Sequence, residues 1–426
     1  MKLPEKIKFV LTARTIEFTL IIIGFFVFWF CSKFEISGDG EIRFNAIIQL
    51  IENQEISDIK YSIIGSIFSL PLYFLGWLYK SPEYFLMRYN LILFIVAIII
   101  AYKILIDHLD GGIVRKFVLL VMTASMFPHH VRHYYGEVFT SLSVFVGVLG
   151  VTLSNTGLGW LPLILGTANT PASILGLALI VIKRAGKSHR WRYFLYFNLT
   201  VLIIVLESWI RRGSIFASGY ENDRGFETIL PFSGKPGFSY PFFLGLISIF
   251  FSFGKGIIFY APGLLLSLKP YLSVINPNVV TSHRLILWYL AGLVIVYSSW
   301  WSWYGGFFWG SRFFLVASIT ASFSLAFYCH YRSKKIIPSL ITLMMLIWST
   351  WVGINGAIFG QYGLDICFRN NYELEFLCWY VPEFSPLFHP FIKNKILADN
   401  ELIIIGYNFL VFIYLSTPIL YLIFKK

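Results

Sequence analysis

Apolar runs separated by short polar segments recur along the whole chain. Runs such as Leu91 to Ile100 and Leu285 to Val296 carry no charge at all. A helix needs roughly 20 mostly apolar residues to cross about 30 Å of hydrocarbon. The backbone of such a run must be helical, because lipid offers its N–H and C=O groups no partner. On this pattern the chain reads as an all-α, polytopic transmembrane bundle of about 12 passes, forming a single membrane domain over 1–426. The passes fall near 11–31, 86–105, 113–127, 138–156, a broken pair within 158–182, 193–210, 257–268, 284–299, 312–329, 336–354 and 401–423.

Two stretches do not follow the simple pattern. Tyr61 to Tyr79 is apolar but interrupted by Pro71. Crossing there would reverse every later loop and spoil the charge rule, so the stretch is expected to lie on the membrane surface, within a first external loop of 32–85. Segment 158–182 as one pass would export Lys183, Arg184, Lys187, Arg190 and Arg192. Two half-passes, broken at Asn169-Thr170-Pro171, keep those cations inside. Further external loops cover 211–256, with a surface helix, and 355–399.

Composition sharpens this reading. Hydrophobic residues make up 57% and charged residues 13%, with a mean hydropathy of +0.71. A soluble chain has about 25% charged residues. The net charge of +12 would suggest nucleic acid in a soluble protein. Here the cations lie between passes, where they set topology and anchor anionic lipid, so no nucleic-acid partner is expected. Lys2, Lys6, Lys8 and Arg14 precede the first run and no small-residue cleavage site follows it. That run is expected to be retained, with cytoplasmic N- and C-termini. Of the four cysteines, Cys31 and Cys329 fall in or beside passes, while Cys367 and Cys378 share the last external loop. The pair reads equally as a disulfide or as two free thiols. No Cys/His spacing has a metal-site form.

Four polar segments can carry chemistry, all on the face expected to be external. Ser37-Gly38-Asp39-Gly40-Glu41-Ile42-Arg43-Phe44 places two acids between glycines at the mouth of the first pass. A carboxylate there can act as a general base, though Gly-Asp-Gly is also ordinary turn chemistry. His129-His130-Val131-Arg132-His133-Tyr134-Tyr135-Gly136-Glu137 is a dense polar run between passes. Ionisable groups at such a mouth are costly and point to function. Phe253-Gly254-Lys255-Gly256-Ile257 presents an ammonium beside exposed backbone N–H groups, which suits phosphate. A snorkelling lysine is the plainer reading. Trp300 to Phe313 is the most specific segment: an aromatic belt explains its tryptophans, but not Gly305-Gly306 and Gly310 placed just before Arg312.

These segments, in this order, resemble the bacterial branch of the GT-C membrane glycosyltransferases, which includes protein O-mannosyltransferases and the aminoarabinose transferase of lipid A. The resemblance rests on the acidic start of the first loop, on Lys60-Tyr61-Ser62 and Ser69-Leu70-Pro71-Leu72-Tyr73, on Lys255 with Tyr260-Ala261-Pro262, and on Trp303 to Phe313. It implies an enzyme of a bacterial plasma membrane that takes a sugar from a polyprenyl-phosphate donor and passes it to a hydroxyl on a glycan, lipid or protein acceptor, with inversion. By position Asp39 is the base, although the separation of Asp39 and Glu41 by Gly40 leaves open which acid acts. Glu137 matches the family's second-loop acid. Lys255, Arg312 and Arg132 are the expected phosphate cations. Arg43, Lys60, His133, Tyr134, Trp303 and Tyr304 are expected to line the substrate. Some relatives use a divalent metal and others do not, and nothing in this chain requires one; no other cofactor is implied. The alternatives are a transporter or flippase of a lipid-linked sugar, to which a broken helix also belongs, a surface-polysaccharide ligase or polymerase, for which Arg211-Arg212 is the only adjacent external pair, and an inactive scaffold.

Overall fold

The computed structural model describes residues 5–154, 156–188, 191–221, 223–333 and 335–425, so that Lys2, Arg190 and Lys426 lie outside the described residues. The described residues are helical and contain no strand, only the isolated bridges Glu35–His133 and Arg224–Pro236. The first half of the chain contributes α1 (Glu5–Cys31), α2 (Asp39–Glu52), α3 (Ile64–Ile67), α4 (Leu70–Leu78), α5 (Pro82–Leu86), α6 (Tyr89–Leu105), α7 (Gly111–Thr123), α8 (Phe127–His130), α9 (Gly136–Thr152), α10 (Trp160–Asn169), α11 (Ile174–Ser188) and α12 (Arg192–Arg212). The second half contributes α13 (Phe242–Phe251), α14 (Ile257–Tyr260), α15 (Pro277–Tyr297), α16 (Val316–Tyr331), α17 (Ile336–Ile358), the single turns α18 (Arg369–Tyr372) and α19 (Leu377–Tyr380), and α20 (Asp399–Phe424).

Six helices among the described residues are long and apolar enough to cross a membrane: Thr12–Cys31, Pro82–Leu105, Arg192–Arg212, Pro277–Tyr297, Ile336–Ile358 and Asp399–Phe424. That is half the expected number, and the shortfall has a physical reason. α7 has 13 residues and α16 has 16. At 1.5 Å per residue they are about 20 and 24 Å long. Both are buried almost all round, as is α9. A helix apolar on every side packs inside a bundle as readily as it faces lipid, and sequence pattern does not distinguish the two. α12 is the opposite case: only 17% of its apolar window is buried, and Leu195, Leu199, Leu202 and Leu206 point outward.

The pass expected at 257–268 is not a continuous helix. Pro262 ends α14, and the chain continues through 3₁₀ turns at Pro262–Leu265 and Lys269–Tyr271. The start of this irregular stretch is enclosed by protein, with Pro262 and Gly263 buried and Gly263 so close to Ala321 that a Cβ would sit 2.4 Å from its carbonyl oxygen, whereas Leu265, Lys269 and Leu272 are exposed. Such backbone survives at membrane depth only where protein surrounds it. The stretch 61–79 likewise forms two short helices, α3 and α4, rather than one long one.

The connections gather at two opposite ends. At one end Asp110 approaches His330 (3.7 Å), Asn276 approaches His108 (3.4 Å), and Arg184 donates to the Val151 carbonyl (3.2 Å). At the other, Asn169 accepts from the Gly65 N–H (2.9 Å) and donates to the Gly136 carbonyl (3.0 Å). The chain reverses at Thr170-Pro171: α10 starts beside Val151, where Gly159 is packed, and α11 returns to it through Arg184. The second end holds the cavity described next.

Candidate active site

Three helix starts converge at this end. Gly38 adopts φ +54°, where a side chain is strained, and a Cβ there would meet the Phe308 ring at 3.1 Å. This turn places Asp39 as the first residue of the 14-residue α2, where the positive end of the helix dipole favours a carboxylate. Glu137 is the second residue of α9. Arg312 opens the 3₁₀ turn that leads into α16. It follows a loop in which Gly305, Gly306 and Gly310 all have φ between +73° and +76°.

The three side chains meet. Arg312 Nη2 lies 2.7 Å from Asp39 Oδ2, and Nη1 lies 3.6 Å from Glu137 Oε1. The guanidinium also lies over the Phe308 ring, 4.0 Å from its centroid. Burial works to raise the Asp39 pKa, but the Arg312 charge and hydrogen bonds from Tyr61 and Arg312 outweigh it and hold the carboxyl below its ordinary value. Burial and the Asp39 charge in turn keep the Tyr61 phenol protonated. The cluster lies on the wall of a cavity of about 870 Å³.

Other expected residues divide by position. Arg43 lines the cavity from α2, donating to the Ser62 carbonyl (2.7 Å) and lying 4.8 Å from the Tyr61 ring centroid. Lys60 lines it too and pairs with Asp223 at 2.7 Å. Tyr304 lines it, stacked on Trp379 with centroids 3.8 Å apart. Glu41 is exposed and lies outside the cavity, so the geometry separates the two acids of the first loop in favour of Asp39. Trp303 is buried behind Tyr304. Tyr134 is buried and shares a hydrogen bond with Ser69 (2.6 Å), and His133 is stacked on Tyr135.

Two of the expected cations are turned away from the cavity. Lys255 is buried and donates to the Gly306 carbonyl (2.9 Å) and to that of Phe308. It fastens the glycine loop that carries Arg312. Its neighbour in charge is Glu375; burial pushes the lysine pKa down and the glutamate pKa up. Arg132 donates to the carbonyls of Ala357 (2.7 Å) and Gly356 (3.0 Å), at the C-terminal end of α17 where carbonyls lack helical partners. His129, His130 and His133 form a buried cluster whose pKa values burial lowers, so the rings are neutral. Among the described residues, no three His, Cys, Asp or Glu side chains converge to hold a metal. The near oxygens of Asp39 and Glu137 already face a guanidinium.

Sequence reasoning missed several cavity residues. Glu207 accepts from the Ile63 N–H (2.9 Å), Ser62 Oγ (2.8 Å) and Arg211 (2.7 Å). Arg211 also donates to the carbonyls of Ser57, Ile59 and Tyr61, and Arg212 to that of Ile59, so the adjacent arginine pair clamps segment 57–63. A lone acid late in an otherwise apolar pass was the available signal for Glu207. Glu375, bonded to Tyr304, reaches the cavity from a loop whose Cys367 and Cys378 form a disulfide; nothing in the sequence separates it from Glu373. Tyr220, Trp300 and Trp301 complete an aromatic wall, with Tyr220 and Trp300 centroids 5.5 Å apart. Comparison with protein-family models, with curated proteins and with solved structures gives no match for this chain.

Proposed function

We propose that the protein is an inverting membrane glycosyltransferase of GT-C type, with about 12 passes when the short buried helices and the broken segments are counted, that moves a sugar from a polyprenyl-phosphate donor to a hydroxyl acceptor at the outer face of a bacterial plasma membrane. One observation carries the reading: Asp39, Glu137 and Arg312 come from distant parts of the chain and form one charged cluster on a cavity wall. Part of that wall is apolar, supplied by Pro171, Ala172, Ile174 and Ile204, and suits a prenyl chain. Part is aromatic, supplied by Tyr220, Trp300 and Trp301, and suits sugar rings. The disulfide in loop 359–398 supports an oxidising compartment on this side.

In this scheme the acceptor oxygen attacks the anomeric carbon as Asp39 takes its proton. The bond from that carbon to the phosphate oxygen breaks. The leaving phosphate gains negative charge, which Arg312, with Arg43 nearby, stabilises. Glu137 orients the acceptor or tunes Arg312. Lys255 and Arg132 act indirectly, by holding the loops.

The test is incubation of purified protein with a panel of radiolabelled polyprenyl-phosphate sugars and membrane extract. Label is expected to move from donor to an extract component with the wild type and not with Asp39→Asn. Equal transfer by both would refute the assignment. A flippase reading draws on one observation, the Thr170-Pro171 break lining the cavity. It predicts movement of intact donor between leaflets without loss of its sugar.

A further inference from the structure

The cation that should hold the donor's phosphate is already engaged. Arg312 has a side-chain exposure of 6%, and its Nη2 is bound to Asp39 at 2.7 Å. Its Nε and Nη1 are buried with no hydrogen-bond partner, since Glu137 stands at 3.6 Å from Nη1. A guanidinium carries five N–H donors in a planar fork. Here most of that fork is unsatisfied while its charge faces two carboxylates. Leaving buried donors unmade is costly, so the pocket is built for an acceptor group that is not part of the chain. A phosphodiester offers two free oxygens in the spacing the fork matches.

The same contact restrains the base. A carboxylate bound to a guanidinium accepts a proton poorly. We propose that Asp39 and Arg312 form an internal ion pair that the donor's phosphodiester breaks by exchange: the phosphate takes the arginine, and Asp39 is freed to accept the acceptor's proton. This inference rests on the transferase reading above. It makes binding ordered, donor before acceptor, and keeps the base weak until a donor is seated. Tyr61, bonded to the Asp39 carboxyl, and Arg43, on the same helix, hold the carboxylate in place after exchange. The other groups facing the pair are Glu137, Tyr135, Tyr297, Lys255 and His130 around Arg312, and Tyr220 across the cavity. Loss of Arg312 removes the largest influence opposing burial, so the proton affinity of Asp39 rises while the Tyr61 hydrogen bond and the Arg43 charge still act on it. The freed proton acceptor takes one proton as the new C–O bond forms, and the electron pair of the broken bond leaves on phosphate.

The probe is farnesyl methyl phosphate, a phosphodiester with no proton to lose near neutrality, titrated calorimetrically into the full-length protein in detergent. Asp39→Asn removes the competitor and should tighten binding by about tenfold or more, because the arginine is then always available. Glu137→Gln should tighten it less, and Arg312→Ala should abolish it. Wild-type binding should take up protons, increasingly so as the pH is lowered from neutral toward the ordinary carboxylate range, seen by repeating the titration in buffers of different ionisation enthalpy. That last measurement needs no variant and stands if the Asp39 variants unfold. Unchanged or weaker binding by Asp39→Asn, or no proton uptake by wild type, overturns the exchange. If Arg312→Ala binds as wild type does, or wild type does not bind, the phosphate assignment itself falls.

Discussion

Replacing Arg211 by alanine tests how the cavity is held open. Its side chain is 1% exposed and pairs with Glu207, which is 13% exposed, at 2.7 Å. Three backbone carbonyls, of Ser57, Ile59 and Tyr61, receive its other hydrogen bonds at 2.8–2.9 Å. The alanine variant leaves a half-buried carboxylate without its counter-charge and three carbonyls without this donor. Removing one partner of a buried pair costs about 3–5 kcal/mol. At about 2 °C per kcal/mol for a large chain, the melting temperature in detergent should fall by roughly 6–10 °C. Arg211→Lys should recover little, because one ammonium does not reproduce a fork spread over three carbonyls. Replacing both Arg211 and Glu207 by apolar residues should cost less than Arg211→Ala alone, since no charge is then stranded. Thermal unfolding followed by tryptophan fluorescence gives the comparison. A drop below about 2 °C for Arg211→Ala would mean that segment 57–63 does not depend on this clamp.

Other consequences are open to measurement. Asp39 has a folded pKa below its unfolded value of 3.8, so its pairing contributes stability that is present above that value and lost as pH falls through the lowered one. The difference in melting temperature between wild type and Asp39→Asn should therefore hold steady from neutral pH down to about 5 and shrink below about 4; a difference that shrinks between pH 8 and 6 would contradict this. Cys367→Ser should lower stability by about 3 kcal/mol, as expected for a loop this short, and alkylation of the denatured wild type without reductant should find two reactive thiols, Cys31 and Cys329, not four. With those two cysteines replaced, a cysteine at Ser218 should be labelled from outside intact cells and one at Gly186 only after permeabilisation, and the reverse would invert the proposed topology. Lys255→Met should lower donor turnover through Arg312 placement while leaving the affinity for acceptor unchanged; a purely local effect on folding would alter both.

Much of this architecture was legible because membrane insertion enforces simple rules. Apolar length located the six long helices, and five cations beyond Ile182 required the reversal that the structure has at Thr170-Pro171. The resemblance to the GT-C transferases singled out Asp39, Glu137, Lys255 and Arg312 as one site, and the first two and the last of these do meet on the cavity wall while Lys255 does not. The directions of Lys255 and Arg132 were not legible. Each is turned inward by carbonyls that glycine turns or a helix end leave unpaired, and no residue pattern reports a carbonyl's orientation. The clamp on segment 57–63 was hidden for the same reason: Arg211 binds backbone, whose acceptors are identical at every position. The length of α7, α9 and α16 was obscured because a helix wrapped in protein is as apolar as one in lipid.

The most direct test of the central claim is the position of a bound donor. A structure of the protein with a prenyl-phosphate sugar should show the phosphate oxygens about 2.7–3.0 Å from the Arg312 guanidinium, the prenyl chain along Ile174 and Ile204, and the anomeric carbon turned toward Asp39. A phosphate seated away from Arg312, or a sugar pointing away from Asp39, would contradict it.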